Sequence, residues 1–156
     1  MRPDSDQGFT IRSFVASDQP AARQLILAGL GEHFGHVDAG LNPDIDDIVK
    51  SYVERGYPFL VARVGEALVG TGALVIQDAG GGQIVRVSVD PAYRRCGIGR
   101  ALVTRLLDAA RARRLTRVWM ETNDDWHDAI ALYRCCGFRP YRWADGNVYM
   151  AVEVGG

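Results

Sequence analysis

The chain has 156 residues, 47% of them apolar and 24% charged, which suits one soluble domain built around one core. No run approaches the ~18 apolar residues of a membrane span, and a net charge of −1 gives no bulk attraction to nucleic acid. Cys96, Cys135 and Cys136 make neither a disulfide framework nor a CxxC pair, which argues against a stapled secreted scaffold, a zinc ribbon and a thioredoxin-like site.

In chain order, the polar stretch from Met1 to Gln7 lacks the apolar core of a signal peptide, so the expected location is the cytoplasm. Phe9 to Phe14 reads as a strand. Ser17 and Asp18 offer N-caps and Pro20 a first turn for a helix whose stripe is Ala21, Ala22, Leu25, Ile26 and Leu30, ending at Gly31. A polar segment follows to Pro43. Asp44 then caps a second helix with Ile45, Ile48, Val49 and Tyr52 on one face, ended by Gly56. Pro58 to Val64 and Ala67 to Ile76 form a hairpin around Gly65-Glu66. Asp78 to Gly82 is a loop, and Ile84 to Val89 the next strand. A helix from about Gly99 to Arg113 carries Leu102, Val103, Leu106, Leu107 and Ala110 inward. Arg117 to Thr122 is a strand. Asp124 or Asp125 caps a helix bearing Ala129, Ile130, Leu132, Tyr133 and Cys136, stopped by Gly137. Phe138 to Arg142 and Val148 to Val154 close the chain as strands joined by Asp145-Gly146. Meander strands followed by a β-α-β crossover make a mixed sheet covered by helices, an α/β or α+β domain spanning residues 1–156.

Charge is unevenly spread. Eight arginines and one acid, Asp108, lie between Arg94 and Arg117, whereas six acids and Lys50 lie between Glu32 and Glu54. The first region suits an anion and the second a cation. The most informative segment joins strand to helix: Val87-Ser88-Val89-Asp90-Pro91-Ala92-Tyr93-Arg94-Arg95-Cys96-Gly97-Ile98-Gly99-Arg100. A glycine-rich turn opening a helix points several N–H groups at one spot and adds the positive end of the helix dipole. Gly97 and Gly99 permit close approach and positive φ, and Arg94 and Arg95 add charge-assisted donors. The turn is not a P-loop, since no Lys-Ser/Thr follows, and Leu102 stands where a dinucleotide fingerprint needs a small residue.

Arg94-Arg95-Cys96-Gly97-Ile98-Gly99 resembles the R/Q-x-x-G-x-G/A motif of the GNAT superfamily of acetyl-CoA-dependent N-acetyltransferases. Ala129-Ile130-Ala131-Leu132-Tyr133-Arg134-Cys135-Cys136-Gly137-Phe138 resembles that family's A-x-x-L-Y-x-x-x-G-F segment. The resemblance implies a mostly antiparallel sheet of about seven strands flanked by four helices and splayed between strands 4 and 5. It also implies an acetyl-CoA site, with the backbone of Val87 and Val89 on the pantetheine arm and residues Arg94, Arg95, Cys96, Gly97, Ile98, Gly99 and Arg100 around the pyrophosphate. Tyr133 is implied as general acid to the CoA thiolate. Two positions depart from the pattern. Trp126 stands where many relatives carry an Asn on the CoA arm, with Asn123 the nearest replacement. Gln83 stands where some carry a catalytic Glu, leaving Glu121 or water as the base. By the same resemblance the segment from Gly31 to Arg55 borders the acceptor, with Glu32, His33, His36 and Asp38 as candidate contacts. The His33-x-x-His36 spacing lacks a third ligand, so no metal is expected. The expected partners are acetyl-CoA and an amine, without nucleic acid or membrane. Many relatives are dimers, which leaves a homodimer open. A non-catalytic acyl-CoA sensor on the same fold and a nucleotide-binding domain are the competing readings.

Overall fold

In the computed structural model, which describes residues 8–34 and 42–155, the alternating apolar segments form β1 (Thr10–Ser13), β2 (Phe59–Val64), β3 (Ala67–Ile76), β4 (Gly81–Val89), β5 (Arg117–Asn123), β6 (Arg139–Ala144) and β7 (Asn147–Glu153). They make one sheet in the order β1-β2-β3-β4-β5-β7-β6. Only β4 and β5 run parallel; the other neighbours are antiparallel. The helices are α1 (Gln19–Phe34), α2 (Ile98–Ala112) and α3 (His127–Cys135), with a 3-10 turn at Pro43–Asp46 and a π-helical turn at Val49–Val53 completing the helical layers. No helix among the described residues is long and apolar enough to cross a membrane.

Strand alternation divides the core. On one face α2 and α3 bury Leu74, Ile84, Val103, Leu106, Val118, Met120, Tyr133, Phe138, Val148 and Met150. On the other, α1 and the turns after it bury Phe14, Ala22, Ile26, Ile45, Ile48, Tyr52, Phe59, Val61 and Ala73. Adjacent residues Ala73 and Leu74 fall in opposite clusters, as period-two geometry requires.

The acidic residues expected as helix caps do other work. Asp18 ends a 3-10 turn ahead of α1, and its carboxylate accepts from Arg12 at 2.7 and 2.9 Å and from the Val15 amide at 2.9 Å. Asp44 lies in the 3-10 turn, and the apolar face expected of a regular helix is kept by Ile45, Ile48 and Tyr52. α1 continues past Gly31 to Phe34. α3 starts at His127 with Trp126 at its N-cap and no side-chain cap, so neither Asp124 nor Asp125 fills that role. The β6–β7 turn has both Asp145 and Gly146 at positive φ, 55° and 81°, the primed geometry that matches strand twist.

Two features shape the region between β4 and β5. First, α2 sits unusually close to β3: a Cβ on Gly70 would lie 3.0 Å from Ile98 and 3.1 Å from Leu102, and one on Gly72 would lie 3.2 Å from Leu106. Second, β4 carries a bulge. Thr71 faces Ser88 and Ala73 faces Val85, so Gly72 opposes both Arg86 and Val87. Arg86 has φ +58°, and the buried Thr71 hydroxyl donates to the Arg86 carbonyl at 2.8 Å. A bulge bends its strand and breaks the ladder. Parallel pairing with β5 is confined to Gly81↔Arg117, Gly82↔Val118 and Gln83↔Trp119; beyond these the strands separate.

Gly70→Val is expected to destabilise the fold by ~1–3 kcal/mol, since overpacking a close interface forces side chains or backbone to move. Urea denaturation measures it, and an unchanged midpoint would show that α2 has room to retreat.

Candidate active site

Where β4 and β5 part, a cleft of about 1060 Å³ opens. Its walls are β4 from Ile84 to Val89, the turn and first residues of α2, β5 from Met120 to Thr122, the inner side of α3, and Ile26, Gly29 and Leu30 of α1. The Ala101 amide donates to the Gly97 carbonyl at 3.0 Å, so the amides of Ile98, Gly99 and Arg100 precede the first α-helical hydrogen bond and point out of the helix end. Gly97 has φ +86°, and a side chain there would meet nothing within 4 Å. Backbone conformation rather than crowding therefore calls for glycine. At Gly99 a Cβ would stand 3.2 Å from Leu132 and 3.8 Å from Val89, so this glycine lets α2 approach the cleft floor. Arg94, Arg95 and Arg100 line the same end. Together they form an anion cradle of amides and guanidinium groups.

Residues 19–138 match the acetyltransferase (GNAT) family. The chain belongs to this family.

Among relatives, N-acetyltransferase 8B of Rattus norvegicus is 38% identical over 110 residues, covering 67% of this chain and 50% of that protein. The IAA acetyltransferase of Azospirillum brasilense is 44% identical over 81 residues, covering 51% of this chain and 53% of that protein. The chain thus spans about half the length of the curated relatives it matches. In fold it is similar to a GNAT acetyltransferase from Staphylococcus aureus, with a TM-score of 0.86 at 22% identity over 94% of this chain and 99% of that one. It is also similar to the PaiA N-acetyltransferase of Thermoplasma acidophilum, solved with coenzyme A, with a TM-score of 0.80 at 16% identity over 93% and 98% of the two chains.

The GNAT cleft gathers most of the residues expected from the sequence. Val87, Val89, Arg94, Arg95, Gly97, Ile98, Gly99, Arg100, Glu121 and Tyr133 all line it. The Asp90 amide bonds to Val69 on the β3 side at 2.8 Å. By alternation, Val89 turns its own backbone groups toward the gap, where its carbonyl accepts from Arg94 Nε at 3.2 Å. Cys96 is exposed on the turn and is not a wall residue; its thiol donates to the Arg94 carbonyl at 3.5 Å. Asn123 ends β5 away from the wall, and Trp126 stands on it, as does His127, which is exposed to solvent at the cleft rim. Glu32 and His33 fall on the last turn of α1; the placement of their side chains, and the whole of His36 and Asp38, lies outside the described residues.

Tyr133 and Glu121 reach the gap from opposite faces of the sheet. Tyr133 is in the α2–α3 core, its ring edge-on to Phe138 at 5.2 Å. Burial, followed by the neighbouring Cys136, pushes its phenol pKa upward. Glu121 lies on the other face, since its neighbour Met120 packs in that core. There a smaller cavity of about 310 Å³ is lined by Asp44, Tyr52, Gln83, Arg86 and Glu121, and meets the main cleft through Ile84, Val85, Arg86 and Glu121.

Sequence reasoning missed the cluster in this second cavity. Arg86 donates to Asp44 at 2.6 and 3.0 Å and to Asn42 at 3.1 Å, and the Tyr52 hydroxyl donates to Asp44 at 2.6 Å. A charged residue inside the apolar run Ile84 to Val89 was the available signal. Burial works to raise the Asp44 pKa, but hydrogen bonds from Arg86 and Tyr52 outweigh it and hold the carboxyl below its usual value. Burial, then the bond to Asp44, pushes the Tyr52 phenol upward.

A depressed carboxyl stabilises the fold above its unfolded pKa and loses that contribution as pH falls through the folded one. Arg86→Met should therefore cost ~1–3 kcal/mol at pH 7, with the deficit shrinking below pH 3.8, the ordinary value for this group. Urea unfolding of parent and variant at pH 7 and pH 3 tests this; an equal deficit at both would mean the pairing charge is irrelevant.

Proposed function

We propose that the chain is an N-acetyltransferase that moves an acetyl group from acetyl-CoA directly to a primary amine of a small molecule or peptide. The observation that carries this reading is the gap itself: an anion cradle at one end and, lining the same space, a phenol and a carboxylate from opposite faces of the sheet. The cradle fits a pyrophosphate, because the amides of Ile98, Gly99 and Arg100 and the residues Arg94, Arg95 and Arg100 line one end of the cleft, and the space beside Gly97 is open. The gap-facing backbone of Val87 and Val89 would hold the pantetheine arm, and Trp126 would wall it. When bound, acetyl-CoA supplies a thioester carbonyl activated for attack.

The chain's residues then divide two proton tasks. A lysine-like amine has a pKa of ~10.4 and is almost wholly protonated at pH 7, so a base must take its proton, directly or through water. Glu121 is that base, and it faces the small cavity from which the amine enters. Tyr133 is the acid. A free phenol at ~10 lies above a thiol at ~8.5, and burial raises this one further. The hydroxyl therefore keeps its proton at working pH and donates a hydrogen bond to the departing sulfur; as the C–S bond breaks it passes that proton on, and the second proton leaving the amine nitrogen restores the phenol. Asp44 is neutralised by Arg86, leaving Glu121 as the uncompensated anion of the acceptor cavity and favouring a cationic amine. Metal is not required by any of these tasks.

Two measurements test the reading. Calorimetry should show acetyl-CoA binding in preference to ATP and NAD, and thiol release from acetyl-CoA should rise with at least one amine from a panel of spermidine, free amino acids, an aminoglycoside and a peptide with a free N-terminus. Preference for either nucleotide would overturn the donor, and tight acetyl-CoA binding without turnover of any amine would mark a sensor. Tyr133→Phe should lower kcat by roughly 10²-fold or more while acetyl-CoA affinity stays within about twofold; an unchanged kcat would remove Tyr133 from the mechanism.

A further inference from the structure

Glu121 is an exposed strand residue, and an exposed carboxylate ordinarily samples several rotamers, whereas a base must be held within a fraction of an ångström of its working position. β7 supplies the missing constraint. Glu121 lies directly opposite Tyr149, and Asn147 is the diagonal neighbour on the same face. Asn147 Nδ2 donates to Glu121 Oε2 at 3.2 Å. The Tyr149 phenol lies against the same carboxylate, and the charge of Glu121, first among several causes, pushes the phenol pKa upward. A carboxylate only accepts, so a hydrogen bond between the two would have the phenol as its donor.

The phenol is itself held. Its ring stacks on Trp119 at 6.2 Å and meets Tyr141 at 6.3 Å, with the Arg142 guanidinium 5.4 Å from its centroid. Trp119 in turn donates from Nε1 to Gln77 Oε1 at 2.8 Å. A chain of contacts thus runs from the end of β3, across β5, into β7 and back to Glu121. Nothing in the packing of the core calls for it, because this face of β5 and β7 lies away from the cluster around Met120 and Met150.

We infer that Tyr149 and Asn147 are positioning residues that hold Glu121 for proton abstraction from the amine. This rests on the proposed role of Glu121. Neither residue touches the reacting atoms; Asn147 donates a hydrogen bond to the carboxylate, Tyr149 stands directly across from it on the same face, and together they restrict Glu121 to the rotamer that aims its other lone pairs at the gap.

The test is a double-mutant cycle. Tyr149→Phe, which removes one oxygen, and Asn147→Ala are made singly and in the Glu121→Gln background. Thiol release from acetyl-CoA is followed with the amine of the panel above that turns over fastest, and a thermal melt checks that each variant is folded. Each single variant should lower kcat about tenfold with KM for acetyl-CoA within about twofold, and should cause no further loss once Glu121 is Gln. Full kcat in Tyr149→Phe, or the same fractional loss in both backgrounds, would overturn the positioning role while leaving Glu121 as base. If Glu121→Gln itself keeps full kcat, the base assignment fails and the positioning role falls with it.

Discussion

Backbone amides and carbonyls left unpaired beside a second strand are costly unless something else meets them, and this molecule places such groups along one gap. β4 and β5 pair over three residues and then diverge. The divergence follows from an extra residue in β4 opposite Gly72, with Arg86 in the left-handed region and its carbonyl tied to Thr71. From that bulge onward, the β5-facing edge of β4 lacks a strand partner. Arg94 meets the carbonyl of Val89, and the extended arm of a ligand is the natural partner for the remaining edge. The cleft is thus a consequence of strand register, and the residues that line it are those that register turns inward.

The same splay makes the two sides of the sheet accessible to each other. In a continuous sheet Tyr133 and Glu121 would be separated by a layer of paired backbone. Here both border one space, one anchored in the apolar cluster of α2 and α3 and the other on a polar surface. Their environments differ accordingly: burial pushes the phenol pKa upward, while the carboxylate is exposed and accepts from Asn147 on the neighbouring strand. The proposed acid and the proposed base thus come from opposite faces of the sheet. The Asp44–Arg86–Tyr52 cluster adds a wall to the smaller cavity by joining the segment after α1 to the bulge.

Much of this was legible in the sequence because it is periodic. The β2–β3 hairpin, the inward face of α2 and the primed turn at Asp145-Gly146 follow from alternation, helical spacing and turn chemistry, and the Arg-Gly turn with the Tyr133 segment identified the family. What was not legible depends on partners distant in sequence. Asp18 and Asp44 look like helix caps locally, yet Arg12 and Arg86 offer them charged donors that a backbone amide cannot match. The bulge is a count of two residues against one and cannot be seen in either strand alone. Asn147 and Tyr149 gain meaning only once β7 is known to lie beside β5 rather than merely after β6. Gly99 illustrates the same point: the motif suggests space for a ligand, whereas the fold adds a tight contact with Leu132.

The central claim is that the donor lies in the gap between β4 and β5 with its sulfur on the Tyr133 side and its pyrophosphate on the first amides of α2. A crystal structure of the chain with coenzyme A tests this most directly. The sulfur is expected within ~3–3.5 Å of the Tyr133 hydroxyl, with phosphate oxygens on the amides of Ile98, Gly99 and Arg100. Coenzyme A seated elsewhere, or in the gap with its sulfur away from Tyr133, would contradict it.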